Sequence, residues 1–241
     1  IGKADLAENL ALKVIERNNS SPVAYARLIQ ARGQKEPIEP IISQIPESLL
    51  HSPDVAVALG QHYYFQRDYR GAVRWLEIAR ENYEDNSVTI RTLLASANYH
   101  AVQDDPQSLQ GLQINEGNRT LLMDAIRLFD EVLTEISEDN DLIRKTFIVS
   151  LIERAHVNRM LGREDRANAD IERAYQLDPS NSDILFIKGW YAFRREEYAQ
   201  AEKYFQQVLW TERFTPTALE LFFECLRMQH RFDEAIKLIQ S

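Results

Sequence analysis

The sequence contains one cysteine, Cys225, among 241 residues. A single thiol excludes an internal disulfide and any metal cluster built from cysteines. Cys225 lies within an apolar helical pattern, which predicts a buried structural side chain rather than a reactive one. The chain also lacks a run of about 18 apolar residues, so we expect no membrane span.

Residues that build catalytic sites are scarce. With only 8 glycines, a glycine-rich phosphate loop is not expected, and no Gly-x-Ser-x-Gly motif occurs. None of the 5 histidines has a neighbour at metal-ligand spacing. An enzyme is therefore the weakest of three functional hypotheses, and we predict neither catalytic residues, cofactor nor metal.

Positive charge is in deficit. The chain has 28 Lys and Arg against 37 Asp and Glu, a formal net charge of -9 and a sequence pI near 5.2. Phosphate backbones are bound by clustered cations, so this balance argues against nucleic acid as the main ligand.

What the chain does contain is a repeat. Leu151, Leu185 and Leu219 are separated by 34 residues each, and an alanine series has the same interval: Ala167, Ala201 and Ala235. Within the segment 182–215, apolar residues recur at helical spacing in two stretches, with the charged run 194–197 between them. This pattern predicts a helix, a turn and a second helix.

The residues in this pattern resemble the tetratricopeptide repeat family. In the segment 53–86, Leu59 and Gly60 are followed by Tyr63, Tyr69 and Ala72 at the family's offsets, and Leu177-Asp178-Pro179 has the family's closing proline. The resemblance implies an all-α fold, a right-handed α-solenoid of antiparallel helix pairs. Small residues such as Gly189 and Ala201 are expected where the two helices of a pair cross, because a larger side chain would keep the backbones apart.

On this basis we interpret residues 1–241 as a single solenoid. Its predicted parts are the second helix of a partial repeat (1–21), a degenerate repeat with a proline-kinked second helix (22–52), repeats at 53–86, 148–181 and 182–215, an expanded repeat (87–147), and a truncated repeat (216–241). The expanded repeat carries a polar inserted loop at 104–119, which either is merely tolerated or touches a partner. A long helix is expected from about residue 141 to residue 161.

The resemblance also implies where a ligand binds, namely a concave groove lined by the first helix of each pair. Counting the family's ligand positions along each repeat gives candidate partner-binding residues: Gln61, Tyr64, Phe65, Arg91, Asn98, Tyr99, His156, Arg159, Met160, Phe186, Trp190, Phe193, Arg194, Glu220, Glu224 and Arg227. Aromatic, Arg and Met side chains are common among them, as in protein interfaces. For each aromatic residue, packing against the neighbouring repeat is the competing interpretation. The Lys and Asn of the family's carboxylate-binding members are absent at the matching positions.

The first hypothesis is therefore a non-catalytic scaffold that binds a peptide or protein segment of unknown identity. The alternative is a sensing or regulatory arm, or a self-association module that forms a homo-oligomer. Because the chain begins at Ile1 without methionine and its end repeats look incomplete, we expect it to be flanked by further repeats or domains. A cytoplasmic location is expected, or a periplasmic one if a signal was removed.

Overall fold

This computed structural model describes residues 3–33, 37–83, 87–105, 114–137, 141–211 and 216–234. Every regular element in those ranges is helical, and no described helix is long and apolar enough to cross a membrane. The helices are α1 Lys3–Arg17, α2 Pro22–Arg32, α3 Glu39–Ile42, α4 Glu47–Leu50, α5 Pro53–Phe65, α6 Tyr69–Asn82, α7 Val88–Gln103, α8 Glu116–Glu135, α9 Asp141–Met160, α10 Glu164–Leu177, α11 Ser182–Arg194, α12 Tyr198–Leu209 and α13 Pro216–Met228.

Short polar side chains begin several of these helices. Asp68 Oδ1 accepts a hydrogen bond from the Gly71 amide at 2.8 Å, and Asn181 Oδ1 accepts from the Ile184 amide at 3.3 Å. Ser21 caps α2 in the same way, with Pro22 in its first turn. Each cap supplies an acceptor to an amide that has no partner inside the helix, so the starts of these helices are encoded locally.

The turn inside a helix pair has one recurring geometry. Arg67, Gly162, Glu196 and His230 all have φ between 60° and 71°. In each case the next residue's amide donates to the carbonyl five residues back, as from Glu197 to Ala192 at 3.0 Å. This left-handed residue ends the first helix and lets the chain reverse within a few residues.

Glycine occupies the crossing of two helix pairs. A Cβ atom added at Gly60 of α5 would lie 2.6 Å from Cγ of Leu76 on α6. One added at Gly189 of α11 would lie 2.8 Å from Cε1 of Phe205 on α12. Leu76 and Phe205 are both fully buried, so the crossings leave no space for a methyl group.

The chain divides into two compact units, with the division between Glu153 and Arg154 inside α9. In unit 1, α1 packs on α2, α2 on α5, α5 on α6, α6 on α7 and α7 on α8. In unit 2, α10 packs on α11, α11 on α12 and α12 on α13. Each unit therefore builds its core between helices that are close in sequence. The assignment of repeat boundaries stays a prediction.

Two segments differ from expectation. Instead of one kinked helix, residues 39–50 form two four-residue helices, because Pro46, which precedes the second helix, cannot donate a backbone hydrogen bond to a continuous helix. The predicted loop at 104–119 is shorter at its end, since Asn115 caps α8 and residues 116–119 form its first turn. Residues 106–113 of that loop lie outside the described part. The long helix expected near 141–161 is observed as α9.

Candidate functional site

The candidate residues of unit 1 fall into a solvent-facing group and a buried group. Phe65 on α5 is 71% exposed, and Gln61 and Tyr64 on the same helix are half-buried. By contrast, Asn98 and Tyr99 on α7 are buried, at 1% and 5% exposure. These two residues face neighbouring helices, which leaves them little surface for a ligand.

Arg91 is also buried, and its charge is satisfied inside the unit. Its guanidinium group pairs with the Glu135 carboxylate and lies 3.9 Å from that of Glu131, both on α8. Burying a charge without such a partner is costly, so this pairing accounts for an arginine inside a helical core. Arg91 therefore joins α7 to α8 in this structure.

A groove of about 260 Å³ runs over the first helices α2, α5 and α7. Its apolar lining includes Val23, Val57 and Ile90, and its polar lining includes Arg27, Gln30 and Asp54. The residues contributed by α2 were missed because the segment 22–52 has a weak repeat pattern. Counting from Pro22 as the later repeat is counted from Pro53 would have placed Val23 and Gln30 at the positions equivalent to Asp54 and Gln61.

A smaller pocket of about 70 Å³ is also lined by Gln30, together with Gln61 and Phe65. Gln30 Nε2 donates to Gln61 Oε1 at 3.3 Å, so two amide groups meet between α2 and α5. Burial lowers the pKa of His62, which also lines this pocket. An imidazole with a lowered pKa stays neutral near pH 7 and adds no charge to this surface.

Tyr64 belongs to an aromatic cluster in unit 1. Its ring centre lies 5.3 Å from that of Tyr69 and 5.9 Å from that of His100, and Tyr69 and His100 are stacked at 5.0 Å. His100 Nε2 lies 3.7 Å from the Glu153 carboxylate, which also accepts a hydrogen bond from Ser96.

Titration of this cluster follows from its packing. Burial acts to lower the pKa of His100, but the hydrogen bond and charge of Glu153 outweigh it and raise the pKa above its ordinary value. Burial, followed by the charge of Glu153, raises the pKa of Tyr64. The His100 imidazole therefore keeps its proton to a higher pH than an ordinary histidine, and the Tyr64 phenol keeps its proton to a higher pH than an ordinary tyrosine.

In unit 2, Trp190 brings two other candidates together. The Arg159 guanidinium carbon lies 5.0 Å from the centre of the Trp190 ring system, and that of Arg194 lies 5.3 Å from it. Arg159 and Trp190 are half-buried, and Arg194 is exposed. We call Arg159, Trp190 and Arg194 the Trp190 patch. Its two cations are attracted to the electron-rich face of the indole.

The remaining aromatic candidates of α11 are shared between core and surface. Phe186, Trp190 and Phe193 are half-buried and pack against a core that contains Phe205 and Cys225. The Phe186 and Phe205 ring centres are 5.8 Å apart. Each of these side chains therefore contributes to packing while keeping part of its surface in solvent. His156 and Met160, on α9, are likewise half-buried.

The candidates on α13 interact with one another. Arg227 Nε donates to Glu224 at 2.8 Å, a second nitrogen of the same guanidinium donates to its other oxygen, and Glu220 is exposed. Hydrogen bonding from Arg227 lowers the pKa of Glu224. The charges of Glu224 and Arg227, one turn apart on an exposed surface, therefore compensate each other. Arg227 is not among the residues that contact the Trp190 ring in the described part of the chain.

Groups that could support chemistry are sparse in the described ranges. Among those residues, no three His, Cys, Asp or Glu side chains come together as a metal site. Cys225 is fully buried, and burial raises the pKa of its thiol to about 12. Since the thiolate is the reactive form, Cys225 is inert near neutral pH while the protein is folded.

Comparison with known proteins agrees with this architecture. The model of the tetratricopeptide repeat family matches residues 154–218. Comparison with curated protein sequences gives no match.

Solved structures are similar over nearly the whole chain. PilW, a type IV pilus biogenesis factor, is 12% identical with a TM-score of 0.60, covering 98% of this chain and 91% of its own. PilF of Pseudomonas aeruginosa is 13% identical with a TM-score of 0.59, covering 97% and 87%. A human IFIT1 dimer with PPP-AAAA is 15% identical with a TM-score of 0.60, covering 94% of this chain and 56% of that one.

At such identities the likeness concerns the fold alone, and it confirms the expected all-α helical solenoid. Proteins of this fold are typically interaction scaffolds, which is a general property and names no partner. Residues 154–218 therefore carry the tetratricopeptide repeat pattern, and the described helices share the all-α solenoid fold of these structures.

Proposed function

We propose that this chain is a non-catalytic scaffold that binds an extended segment of another protein along the exposed faces of its first helices. The observation that carries the proposal is the groove of about 260 Å³ in unit 1, to which three successive first helices contribute. A surface shared by several helices offers a continuous track instead of an isolated depression. Such a track matches an extended chain better than it matches a compact small molecule.

The lining of the groove supports this choice of ligand. Val23 and Val57 offer apolar surface for a side chain, and Gln30 carries an amide with both donors and an acceptor. Gln61, which accepts a hydrogen bond from Gln30, carries a second such amide in the smaller pocket. Amide groups match the alternating N–H and C=O groups of a peptide backbone, whatever its sequence. Apolar contacts would then supply most of the affinity, and the glutamines would fix the direction of the segment.

The test is a screen of a random peptide library against the full chain, followed by affinity measurements on the enriched peptides. Val57→Glu places a charge in the groove and should weaken binding by about tenfold or more, because a carboxylate would lie against an apolar ligand. Val149→Glu, at an exposed valine outside the groove lining, is the matched control. Equal binding to the Val57→Glu variant and the wild type would contradict the proposal.

Self-association is the second candidate function. Leu6, Leu10 and Val14 lie four residues apart on α1 and are 56%, 55% and 44% exposed. An apolar stripe of this kind on a helix is suited to packing against another helix, and a second copy of the chain would supply one.

Sedimentation velocity over a concentration series tests this candidate. If the stripe mediates association, the wild type forms dimers as concentration rises and the Leu10→Glu variant does not. A wild type that stays monomeric throughout would eliminate self-association, the alternative that the sequence analysis left open.

A further inference from the structure

We infer that the Trp190 patch of unit 2 recognises an acidic protein segment in which carboxylates flank an apolar side chain. This inference rests on the proposed function, because it presumes a protein-binding scaffold. It specifies the chemistry of a partner at a second surface, in unit 2, that the groove in unit 1 does not include.

The first argument is the pairing of arginines within unit 2. Four of its arginines form ion pairs with carboxylates, with nitrogen–oxygen distances from 2.5 to 3.3 Å. These pairs are Arg154 with Asp170, Arg195 with Glu197, Arg227 with Glu224, and Arg231 with Glu202 and Glu234. Arg159 and Arg194 have no carboxylate partner among the described residues. They are two adjacent cations without anions in a chain with a net charge of -9.

The second argument is the position of those two cations. Both guanidinium groups lie within 5.3 Å of the centre of one indole. Contact with an aromatic ring restricts a long side chain, while the guanidinium N–H groups remain available as donors at its edge. Binding a carboxylate there costs less side-chain entropy than binding it to two flexible arginines, because Arg159 and Arg194 are already restricted by the ring.

The third argument is the apolar surface beside the cations. Phe186, Trp190 and Phe193 are spaced at three and four residues on α11, so they share one face of the helix, and each is partly exposed. A ligand that contacts this face would place an apolar side chain against the aromatic rings and its carboxylates against Arg159 and Arg194. Purely polar anions would not use the aromatic surface.

These observations favour an acidic peptide over nucleic acid. Tight binding to a phosphate backbone draws on many cations, whereas this patch has two, and exposed carboxylates such as Glu196 and Glu220 belong to the same unit. A basic peptide would meet two unpaired arginines and be repelled. A segment with a few carboxylates matches the number of cations available.

The experiment measures fluorescence anisotropy of labelled peptides with the full chain at low ionic strength. Three peptides alternate leucine with glutamate, glutamine or lysine, and a labelled single-stranded oligonucleotide is the fourth probe. The double variant Arg159→Gln, Arg194→Gln removes both charges and leaves Trp190 in place. Arg195→Gln is the matched control, because Arg195 is an exposed neighbour already paired with Glu197. Circular dichroism melts verify that every variant is folded.

We expect the glutamate peptide to bind about tenfold or more tightly than the other probes, since two charge-assisted contacts are involved. The double variant should lose most of that difference, and the Arg195→Gln variant should keep it. Binding should also weaken as salt is raised. A charge reversal, Arg159→Glu with Arg194→Glu, should invert the preference toward the lysine peptide.

The inference is overturned if the wild type binds the glutamine or lysine peptide with the same affinity as the glutamate peptide, if it prefers the oligonucleotide, or if it binds no probe. It is also overturned if the folded double variant binds the glutamate peptide with unchanged affinity. The Val57→Glu variant separates this result from the proposed function. If Val57→Glu weakens binding of the library peptides while the arginine variants bind the glutamate peptide like the wild type, the groove proposal stands and the inference on the Trp190 patch is rejected.

Discussion

In unit 1 the crossing of α5 and α6 places Gly60 against Leu76, whereas in unit 2 the crossing of α11 and α12 places Gly189 against Phe205. The glycine is common to both, and the side chain that fills the space above it differs in size and shape. What the two crossings share is therefore the close approach of two backbones, not a particular pair of side chains. A small residue is required on one helix, and a large buried one on the other can vary.

The two candidate surfaces differ more than the crossings do. The groove in unit 1 combines valines with a glutamine amide, while the Trp190 patch in unit 2 combines an indole ring with two arginines. Both surfaces involve first helices, yet they present different chemistry. The repeat thus fixes which helix faces are available, and the individual residues decide what those faces can bind.

The largest effect on stability is expected from truncating the large side chain at each helix crossing. Phe205→Ala should lower the free energy of unfolding by about 3–5 kcal/mol and Leu76→Ala by about 2–5 kcal/mol, because each removes a fully buried side chain and leaves a cavity. Urea denaturation measures both. Lys203→Ala and Arg74→Ala, at exposed positions of the same second helices, are the controls. Losses no greater than those of the controls would contradict the packing at that crossing.

Adding a methyl group at the glycine of each crossing should lower the free energy of unfolding by a smaller amount. Gly60→Ala and Gly189→Ala gain about 1 kcal/mol in helix propensity, but overpacking costs about 1–3 kcal/mol, so both should be destabilising. Combining Gly60→Ala with Leu76→Ala should restore part of that loss, because the shortened side chain makes room for the methyl group. A double-mutant cycle measures this coupling. Strict additivity would mean that the two residues do not compete for the same space.

The turn inside each helix pair allows a comparison across both units. Gly162→Ala places a side chain at φ 71° and should cost about 1 kcal/mol. The reverse changes, Arg67→Gly in unit 1 and Glu196→Gly in unit 2, should relieve strain and stabilise by a few tenths to about 1 kcal/mol, since glycine's larger unfolded-state entropy offsets part of the gain. Thermal melts of the three variants check these signs. Opposite signs at Arg67 and Glu196 would show that the turns are not equivalent.

The smallest effect concerns pH and is specific to the cluster in unit 1. The pKa of His100 is raised above 6.5 in the folded state, so its pairing with Glu153 stabilises fully below about pH 6.5 and is lost as pH rises through the higher folded pKa. The difference in Tm between wild type and His100→Gln should therefore be larger near pH 6 than near pH 8. Glu153→Gln should abolish this pH dependence. A difference that grows with pH would refute the pairing.

Much of the fold could be predicted from individual residues of the sequence. The period that aligns Leu151, Leu185 and Leu219 predicted successive helix pairs, and Gly189 was predicted at a crossing where the structure has no space for a side chain. The segment 39–50 was harder, because prolines indicate interrupted helices without deciding between a kink and two separate helices. That outcome depends on how the neighbouring side chains are buried.

The candidate site was less predictable than the fold. Counting positions along a repeat selects one face of a helix, but it does not say how far the next helix covers that face. Asn98 and Tyr99 are therefore buried although Phe65, chosen by the same rule, is exposed. The contribution of α2 to the groove was hidden by a weak repeat pattern, and its assignment as a binding surface remains a proposal.

By itself, the sequence determined the helical period, the caps at Asp68 and Asn181, and the small residues at helix crossings, because these depend on contacts within a few turns of the chain. The tertiary structure decided which charges are paired. Arg91 reaches Glu135 on α8 and Arg159 lies on Trp190 of α11, because the partner of a long side chain is set by distances between residues far apart in sequence. Periodicity does not contain those distances, and they separate a buried arginine that is paired with a carboxylate from an arginine that lies against an aromatic ring.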